Sequence, residues 1–408
     1  MIKQWFQNIG PGTLVAAAFI GPGTVTVCTL AGVNFGMSLL WTLLLSTVAT
    51  MVLQEMTARL GIFTQKGLSE VIRGEIKHPL VRQSITLLIL CAIVIGNASY
   101  EAGNISGSIL GLETVFGEHV LEWGSVSINM MSVLIGSIAF ALLYIGNYRF
   151  LERALVSLVL LMSLSFLITA LITQPDLLGI LKGAFIPQFP DKSLLTIIGL
   201  IGTTVVPYNL FLHASLAKEK WKTTEALPLA KKDTILSIGL GGLVSMAIVV
   251  SAVAIPTSEI RNAADLAESL VPLYGAFAQY FMALGLFAAG ITSAITAPLA
   301  AAYVAEGCLG WKAGLTSKRF KAVWMFILGT GVIFSAIGIQ PIEIIKFAQV
   351  ANGMLLPLIV GTLLWMMNKK TALGKFCNTP VQNLAGFFIL AISIFLGLKS
   401  ILTVLKFI

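Results

Sequence analysis

The sequence predicts an all-α membrane protein whose chain crosses the bilayer eleven times. The composition supports this prediction, because 57% of the 408 residues are hydrophobic, only 11% are charged and the mean hydropathy is +0.93. Soluble domains carry about 25% charged residues. Apolar runs of the length needed to span a bilayer recur along the chain. In addition, two of these runs contain glycine and proline near their middle, at corresponding places in the two halves of the sequence.

Eleven apolar segments follow one another and account for most of the chain. The third and eighth segments are long enough to be tilted or to extend beyond the bilayer. The segments lie near residues 10–34, 37–58, 85–115, 127–147, 154–174, 193–217, 235–256, 271–305, 322–338, 343–367 and 383–404.

Basic residues alternate between the loops in a way that predicts the orientation of the chain. Loops on the side of the N-terminus carry 20 Lys and Arg residues, and the opposite loops carry only Lys182, Lys192 and Arg261. Such an excess marks cytoplasmic loops. We therefore expect a protein of the plasma (inner) membrane with a cytoplasmic N-terminus and an external C-terminus. The net charge of +8 then reflects topology, and no nucleic-acid partner is expected.

Signals for catalysis and for resident cofactors are not found in the sequence. The four cysteines lie far apart and show no CxxC spacing, so they predict neither disulfides nor a zinc site. No GxxxxGK[ST] phosphate-binding loop occurs, and no nucleophile stands beside a base at motif spacing. We expect a protein that is not an enzyme and that has no cofactor apart from a bound Na⁺.

The first and sixth spans are each interrupted near their middle. Proline removes a backbone donor and glycine lowers the cost of leaving helical geometry. Irregular backbone survives at membrane depth only where protein covers it or where it lines a cavity. Each break taken alone is compatible with a simple proline kink. The interruptions fall at Gly21-Pro22-Gly23 and at Gly202, Thr203, Thr204 and Pro207.

Taken together, the two breaks open two halves of five spans each. Because five is odd, the halves have opposite orientation, which is the inverted-repeat plan of secondary transporters. We predict a first repeat at residues 1–174, a second at 175–367, and a final connection and span at 368–408. Substrate in such folds lies at the midplane, between the discontinuous helices.

Longer stretches of the sequence resemble a known family. "GPGTLVAAAFIGPGT" followed by "GMSLLWTLLLSTVATMVLQEMTARLGI" resembles the start of the Nramp family of divalent-metal transporters. "GTTVVPYNLFLHAS" resembles the sixth span of that family, and "AAGITSAITAPLAAAYVAEGCL" resembles its eighth. The resemblance implies the LeuT fold, with a 5+5 inverted repeat and broken first and sixth helices.

The chain departs from the family at the metal-contacting positions. The first-span motif of the family is Asp-Pro-Gly-Asn, and this sequence has Gly21 at the Asp position and Thr24 at the Asn position. The sixth-span motif is Ala-Thr-Val-Met-Pro-His, where the Ala contributes a carbonyl and the Met a thioether. Here Thr203, Val206 and Tyr208 stand at the Ala, Met and His positions.

These departures favour a small anion, with bicarbonate as the leading candidate. A divalent ion at the bilayer centre needs oxygen ligands, usually with negative charge, whereas helix N-termini and hydroxyls bind anions. Two alternatives remain: a Mn²⁺ or Mg²⁺ transporter with an altered site, and a non-transporting sensor. The expected substrate-binding residues are Gly21, Pro22, Gly23, Thr24, Thr203, Thr204, Val206, Tyr208, Gln349 and Asn352.

An anion that enters against the membrane potential needs a coupling cation, Na⁺ or H⁺. The resemblance places Thr292 and Ser293 of the eighth span at a sodium site, although such hydroxyls also commonly bond within their own helix. Glu101 is an intramembrane acid and hence a candidate coupling group. It shares a helical face with Asn97 and Asn104. A purely structural role between helices is the alternative.

Overall fold

A computed structural model of the chain describes residues 20–123, 126–146, 149–255, 260–311, 314, 316–337 and 339–404. The N-terminal part of the first predicted span, residues 10–19, lies outside the described residues. The described chain is almost entirely helical. It also contains a two-stranded antiparallel hairpin between two spans, in which Val120 pairs with Asn129.

The helices of the first half follow the predicted spans, with short surface elements between them. They are α1 (Pro22–Phe35), α2 (Leu40–Thr64), α3 (Leu68–Glu75), α4 (Pro79–Phe116), the hairpin strands β1 (Val120–Trp123) and β2 (Val126–Asn129), α5 (Met130–Ile145), α6 (Arg149–Ile172) and α7 (Leu177–Phe185).

The second half begins with two short helices that together form the predicted sixth span. Its helices are α8 (Leu194–Thr204), α9 (Pro207–Lys220), α10 (Leu227–Ala252), α11 (Ala263–Ala267), α12 (Val271–Tyr274), α13 (Ala278–Leu309), α14 (Lys318–Ala336), α15 (Pro341–Met367), α16 (Lys370–Leu373) and α17 (Pro380–Val404).

Eight helical stretches of the described chain are long and apolar enough to cross a membrane. Their outer faces carry large exposed apolar side chains, for example Leu171, Phe277 and Phe347. In water such a surface would be unfavourable, but in lipid it is the expected one. The prediction of a helical membrane protein is therefore confirmed.

The interior is built around α4, which packs against α13, α14 and α15. Small residues allow these close approaches, since a Cβ on Gly103 would lie 3.0 Å from the Cβ of Ala348. Membrane helices commonly associate through small residues in this way. The two halves of the broken sixth span pack on different neighbours: α8 lies against α15, and α9 lies against α2.

A polar network fastens the end of α2 to the connection between α15 and α17. The Arg59 guanidinium pairs with Glu55 at 3.1 Å and donates to the carbonyl of Phe376 and to Oδ1 of Asn378, both at 2.8 Å. Arg59 is 7% exposed. Its charge is thus compensated by a carboxylate and several oxygens, as a buried guanidinium requires.

Candidate functional site

The first break lies at the N-terminus of α1. Gly21 is the N-cap in an extended conformation (φ −102°, ψ −176°), and Pro22 is the first helical residue. Proline is well suited to this position, because the N–H that it lacks would be unpaired there in any case. The helix α1 therefore begins at Pro22, directly after the extended Gly21, which is within the predicted interruption.

The second break separates α8 from α9. The helix α8 ends at Thr204, Val205 and Val206 leave helical geometry, and α9 begins at Pro207. In an intact helix the N–H of residue 207 would bond to the carbonyl of Thr203, but proline has no N–H. Pro207 thus releases the Thr203 carbonyl from the helical pattern, at the negative C-terminal end of α8.

A direct hydrogen bond joins the two breaks. The hydroxyl oxygens of Thr24 in α1 and Thr203 in α8 lie 2.7 Å apart, and both side chains are buried. The carbonyl next along α8, that of Thr204, accepts a bond of 3.2 Å from the hydroxyl of Thr50. The two interruptions, which are distant in sequence, therefore form one buried polar centre.

Gln349 of α15 completes this centre on a third side. A Cβ on Gly23 would overlap the Gln349 side-chain amide, and one on Gly202 would overlap the Gln349 backbone carbonyl. Glycine at these two positions thus lets α1 and α8 close around Gln349. The side chain is 2% exposed, and its Oε1 has no partner among the described residues.

Three further residues of the predicted set lie close to the second break. The Thr204 hydroxyl donates to the Leu200 carbonyl of its own helix at 2.8 Å. The Tyr208 ring packs edge-on against Tyr100, with ring centroids 5.5 Å apart. Val206 is fully buried and contributes an apolar wall.

Asn352, one helical turn beyond Gln349, faces another neighbour. Its Oδ1 would lie 3.6 Å from a Cβ on Gly96 of α4. Pro22 also packs on α4, because a Cβ on Gly107 would overlap its ring. Asn352 thus lies against α4, whereas Gln349 lies against α1 and α8. That Asn352 contacts substrate stays a prediction.

Glu101 follows Tyr100 on α4 and packs on a further helix. Its Oε2 accepts a bond of 3.3 Å from Asn104, and Oε1 has no partner among the described residues. The side chain packs on α14, where a Cβ on Gly331 would overlap it. Asn97, on the same face, donates to the Ala297 carbonyl of α13 at 2.7 Å. This polar stripe therefore faces α13 and α14.

The proposed sodium-site pair on α13 is divided between two environments. The Thr292 hydroxyl donates to the Ala288 carbonyl of its own helix at 2.7 Å. The Ser293 hydroxyl is buried and has no partner in the part of the chain that the structure describes. Thr292 thus forms the intrahelical bond that was the alternative to ion binding, and a coupling role for the pair stays a prediction.

Two buried groups of α9 lack partners near the second break. Both side-chain atoms of Asn209 and both ring nitrogens of His213 are unpaired within the described ranges. They lie four residues apart, so they share one helical face. Asn209 was not among the predicted site residues, although it lies two residues after Pro207 and four before His213, a spacing that the sequence shows.

The donor set at the joined breaks consists of neutral oxygens. Across the described residues, no group of three or more His, Cys, Asp or Glu side chains could hold a metal ion. The available ligands are the Thr203 carbonyl, the Thr24 and Thr203 hydroxyls and Oε1 of Gln349. Such oxygens suit hard cations that retain part of their hydration, and the hydroxyls can equally donate to an anion.

Comparison with protein families gives a match over almost the whole chain. The family model described as "Nramp: Natural resistance-associated macrophage protein-like" matches residues 12–403. Among curated relatives, the divalent metal cation transporter MntH of Bradyrhizobium diazoefficiens is 29% identical over 97% of this chain and 89% of its own length. The metal transporter nramp1 homolog of Dictyostelium discoideum is 28% identical over 97% of this chain and 75% of its own length.

Solved structures confirm the fold. A mutant of the Eremococcus coleocola manganese transporter is 21% identical and superimposes with a TM-score of 0.77, covering 98% of this chain and 87% of its own. Mhp1, a nucleobase-cation-symport-1 family transporter, gives a TM-score of 0.56 at 13% identity, with coverage of 89% and 78%. The LeuT-type fold implied by the sequence resemblance is thus confirmed.

The prediction of a small anion such as bicarbonate, coupled to Na⁺, is wrong. The curated relatives are named as divalent metal cation transporters, which supports the alternative reading instead. That prediction considered side-chain ligands and assumed that Thr203, in place of the family's Ala, no longer provides a metal ligand. A backbone carbonyl does not depend on the side chain, however, and Pro207 still releases the carbonyl of Thr203.

Proposed function

Because this chain belongs to the Nramp family, we propose that it is a secondary active transporter of divalent metal cations, Mn²⁺ or Mg²⁺. The cation binds where the breaks of α1 and α8–α9 meet. The names of the relatives support the class of cargo, and the inverted-repeat architecture supports the transport mode. The chain lies in the plasma membrane with its N-terminus in the cytoplasm, as the distribution of basic residues indicates.

The observation that carries this proposal is the freed carbonyl of Thr203. It stands at the C-terminal end of α8, where the helix dipole is negative and favours a cation. The Thr24 hydroxyl lies 2.7 Å from the Thr203 hydroxyl, and the unpaired Oε1 of Gln349 would lie 3.3 Å from a Cβ on Gly23. In transporters of this plan, unwound carbonyls and half-helix C-termini coordinate cations.

The type of ligand determines which cations fit. Mg²⁺ usually keeps several waters when it binds to proteins, and carbonyl and water ligands also suit Mn²⁺. Val206 has no sulfur atom, so the site lacks the soft ligand that would favour Cd²⁺. We therefore expect Mg²⁺ and Mn²⁺ to be transported in preference to Cd²⁺.

We propose that H⁺ is the coupling ion and that Glu101 carries it. Glu101 is fully buried and keeps one carboxyl oxygen unpaired. An intramembrane acid is a functional candidate by default. Glu101 packs on α14 at Gly331, and its chain neighbour Tyr100 packs on Tyr208 of α9, so α4 connects the proposed proton carrier with the second break.

Metal uptake by proteoliposomes tests the proposed cargo. The protein is reconstituted, and Mn²⁺ uptake is followed with a trapped metal-quenched dye, with protein-free vesicles as the blank. Thr24→Val removes the hydroxyl that joins the breaks, and we expect kcat/KM to fall about tenfold, the worth of one charge-assisted bond. The matched control is Thr29→Val, which removes a buried hydroxyl without a described partner from the same helix.

The outcomes separate clearly. Uptake above the blank that falls in Thr24→Val and is unchanged in Thr29→Val supports the proposal. No Mn²⁺ or Mg²⁺ uptake by protein that elutes as a single folded species contradicts it. If both substitutions reduced uptake equally, the result would argue against a cation site at the joined breaks.

A further inference from the structure

A cavity of about 470 Å³ lies well away from the breaks, on the side that the positive-inside pattern places in the cytoplasm. It is enclosed by four elements: the helix α3, the beginning of α4, the end of α9 and the end of α13. Trp311 stands at its edge. The cavity is large enough for a phosphate group together with part of the molecule that carries it.

Basic side chains outnumber acidic ones in the lining of this cavity. Four basic residues face two acidic ones, which gives a net charge of +2. One acid, Glu70, lies 3.9 Å from Lys218 in an exposed ion pair. The ionisable lining residues are Lys66, Arg73, Arg82, Lys218, Glu70 and Glu306.

Two of the basic residues are free to engage a ligand. The side chains of Lys66 and Arg82 form no hydrogen bond or ion pair with any residue that the structure describes. Arg73 lies over Gly310, where α13 ends and its carbonyls carry partial negative charge. A guanidinium held in this way is oriented and still has donors to spare, since it carries five N–H groups.

Neutral hydrogen-bond donors in the cavity also suit an anionic ligand. Ser69 and Ser215 line the cavity, are 5% and 6% exposed, and their hydroxyls have no partner among the described residues. The helix α3 begins beside them, with Gly67 as an N-cap that offers no side chain to its first N–H groups. Each hydroxyl can therefore donate to a ligand in the cavity.

We propose that this cavity binds a phosphate group, carried either by an anionic lipid headgroup or by a soluble phosphate compound. Guanidinium pairs match phosphate geometry through parallel hydrogen bonds, and hydroxyls with helix N-termini complete such sites. Basic pockets between membrane helices bind acidic lipid headgroups. The net positive charge of the lining favours an anion over a divalent metal ion as the occupant.

Binding to the purified full-length chain tests the proposal without reference to transport. One arm uses native mass spectrometry with phosphatidylglycerol against phosphatidylcholine, and the other follows the shift in melting temperature on adding inorganic pyrophosphate. The test variant is Arg73→Gln combined with Arg82→Gln. The matched control is Lys231→Gln combined with Lys232→Gln, which removes two exposed positive charges from α10 on the same side.

We expect the wild type to bind at least one phosphate probe, and the double arginine variant to bind it at least about tenfold more weakly. The lysine control should bind as the wild type does. Binding of phosphatidylglycerol alone identifies a lipid headgroup, and binding of pyrophosphate alone identifies a soluble ligand.

Two results would overturn the proposal: no binding of either probe to the wild type, or unchanged binding by the arginine variant. If that variant fails to fold, Arg82→Gln alone decides the matter, because this side chain has no described partner whose loss could destabilise the chain. It should still weaken binding, by a smaller factor.

Discussion

Placing a carboxylate at Gly21 should convert the neutral site into a tighter metal site. Gly21 is buried at the N-cap of α1 with φ −102° and ψ −176°. Aspartate adopts this extended backbone without strain and is a favoured N-cap residue. Gly21→Asp therefore adds a charged oxygen ligand without requiring the backbone to change.

The carboxylate of Gly21→Asp strengthens Mn²⁺ binding and destabilises the metal-free protein. A charge-assisted contact to the cation contributes about 1.5–3 kcal/mol, which corresponds to about 10–150-fold tighter Mn²⁺ binding. Without metal, the same carboxylate at membrane depth costs about 2.5–3.5 kcal/mol. Gly21→Asp should consequently be less stable than the wild type in chelator and should regain stability when Mn²⁺ is added.

Titration calorimetry and melting temperatures with and without Mn²⁺ measure both terms. Gly21→Asn is the matched control, because it has the size and shape of aspartate without its charge. The reasoning is refuted if Gly21→Asp folds and binds Mn²⁺ no more tightly than Gly21→Asn. That result would place the cation away from the first break.

Four further substitutions test separate parts of the account. Gly23→Ala should lower the melting temperature, because its Cβ overlaps the Gln349 amide and such overpacking costs about 1–3 kcal/mol of stability. It should also impair Mn²⁺ uptake, because the Gln349 amide is displaced. Gln349→Leu should reduce kcat/KM for Mn²⁺ about tenfold with little change in stability. Arg59→Met should lower unfolding stability by about 3 kcal/mol, measured by thermal melts, because Glu55 loses its charged partner; an unchanged melt would contradict this. Glu101→Gln should abolish Mn²⁺ accumulation driven by a pH gradient and leave downhill uptake intact; retained accumulation would remove Glu101 from coupling.

Much of the fold was predictable because lipid imposes a simple length rule on apolar helices. Pro207 also revealed the division of the sixth span into α8 and α9, since proline cannot continue the pattern of backbone bonds. The short elements were not predicted. The helix α3 and the strand β1 lie outside the long apolar runs, and the strand β2 occupies the start of the run predicted at 127–147.

The site was predictable in its location and less so in its chemistry. The sequence placed Thr24 and Thr203 together because both stand at helix breaks, and their hydroxyls do meet. The packing of Gln349 against Gly23 depends on how α15 crosses α1, which no local pattern encodes. The anion prediction failed because it weighed side chains, whereas the ligand that we propose at Thr203 is a backbone carbonyl.

The most direct test of the central claim is to locate the bound cation by anomalous X-ray diffraction from crystals grown with Mn²⁺. The proposed binding mode predicts a single strong anomalous peak between α1 and α8, within about 2.5 Å of the Thr203 carbonyl oxygen. A peak elsewhere in the membrane region, with none at the joined breaks, would contradict it.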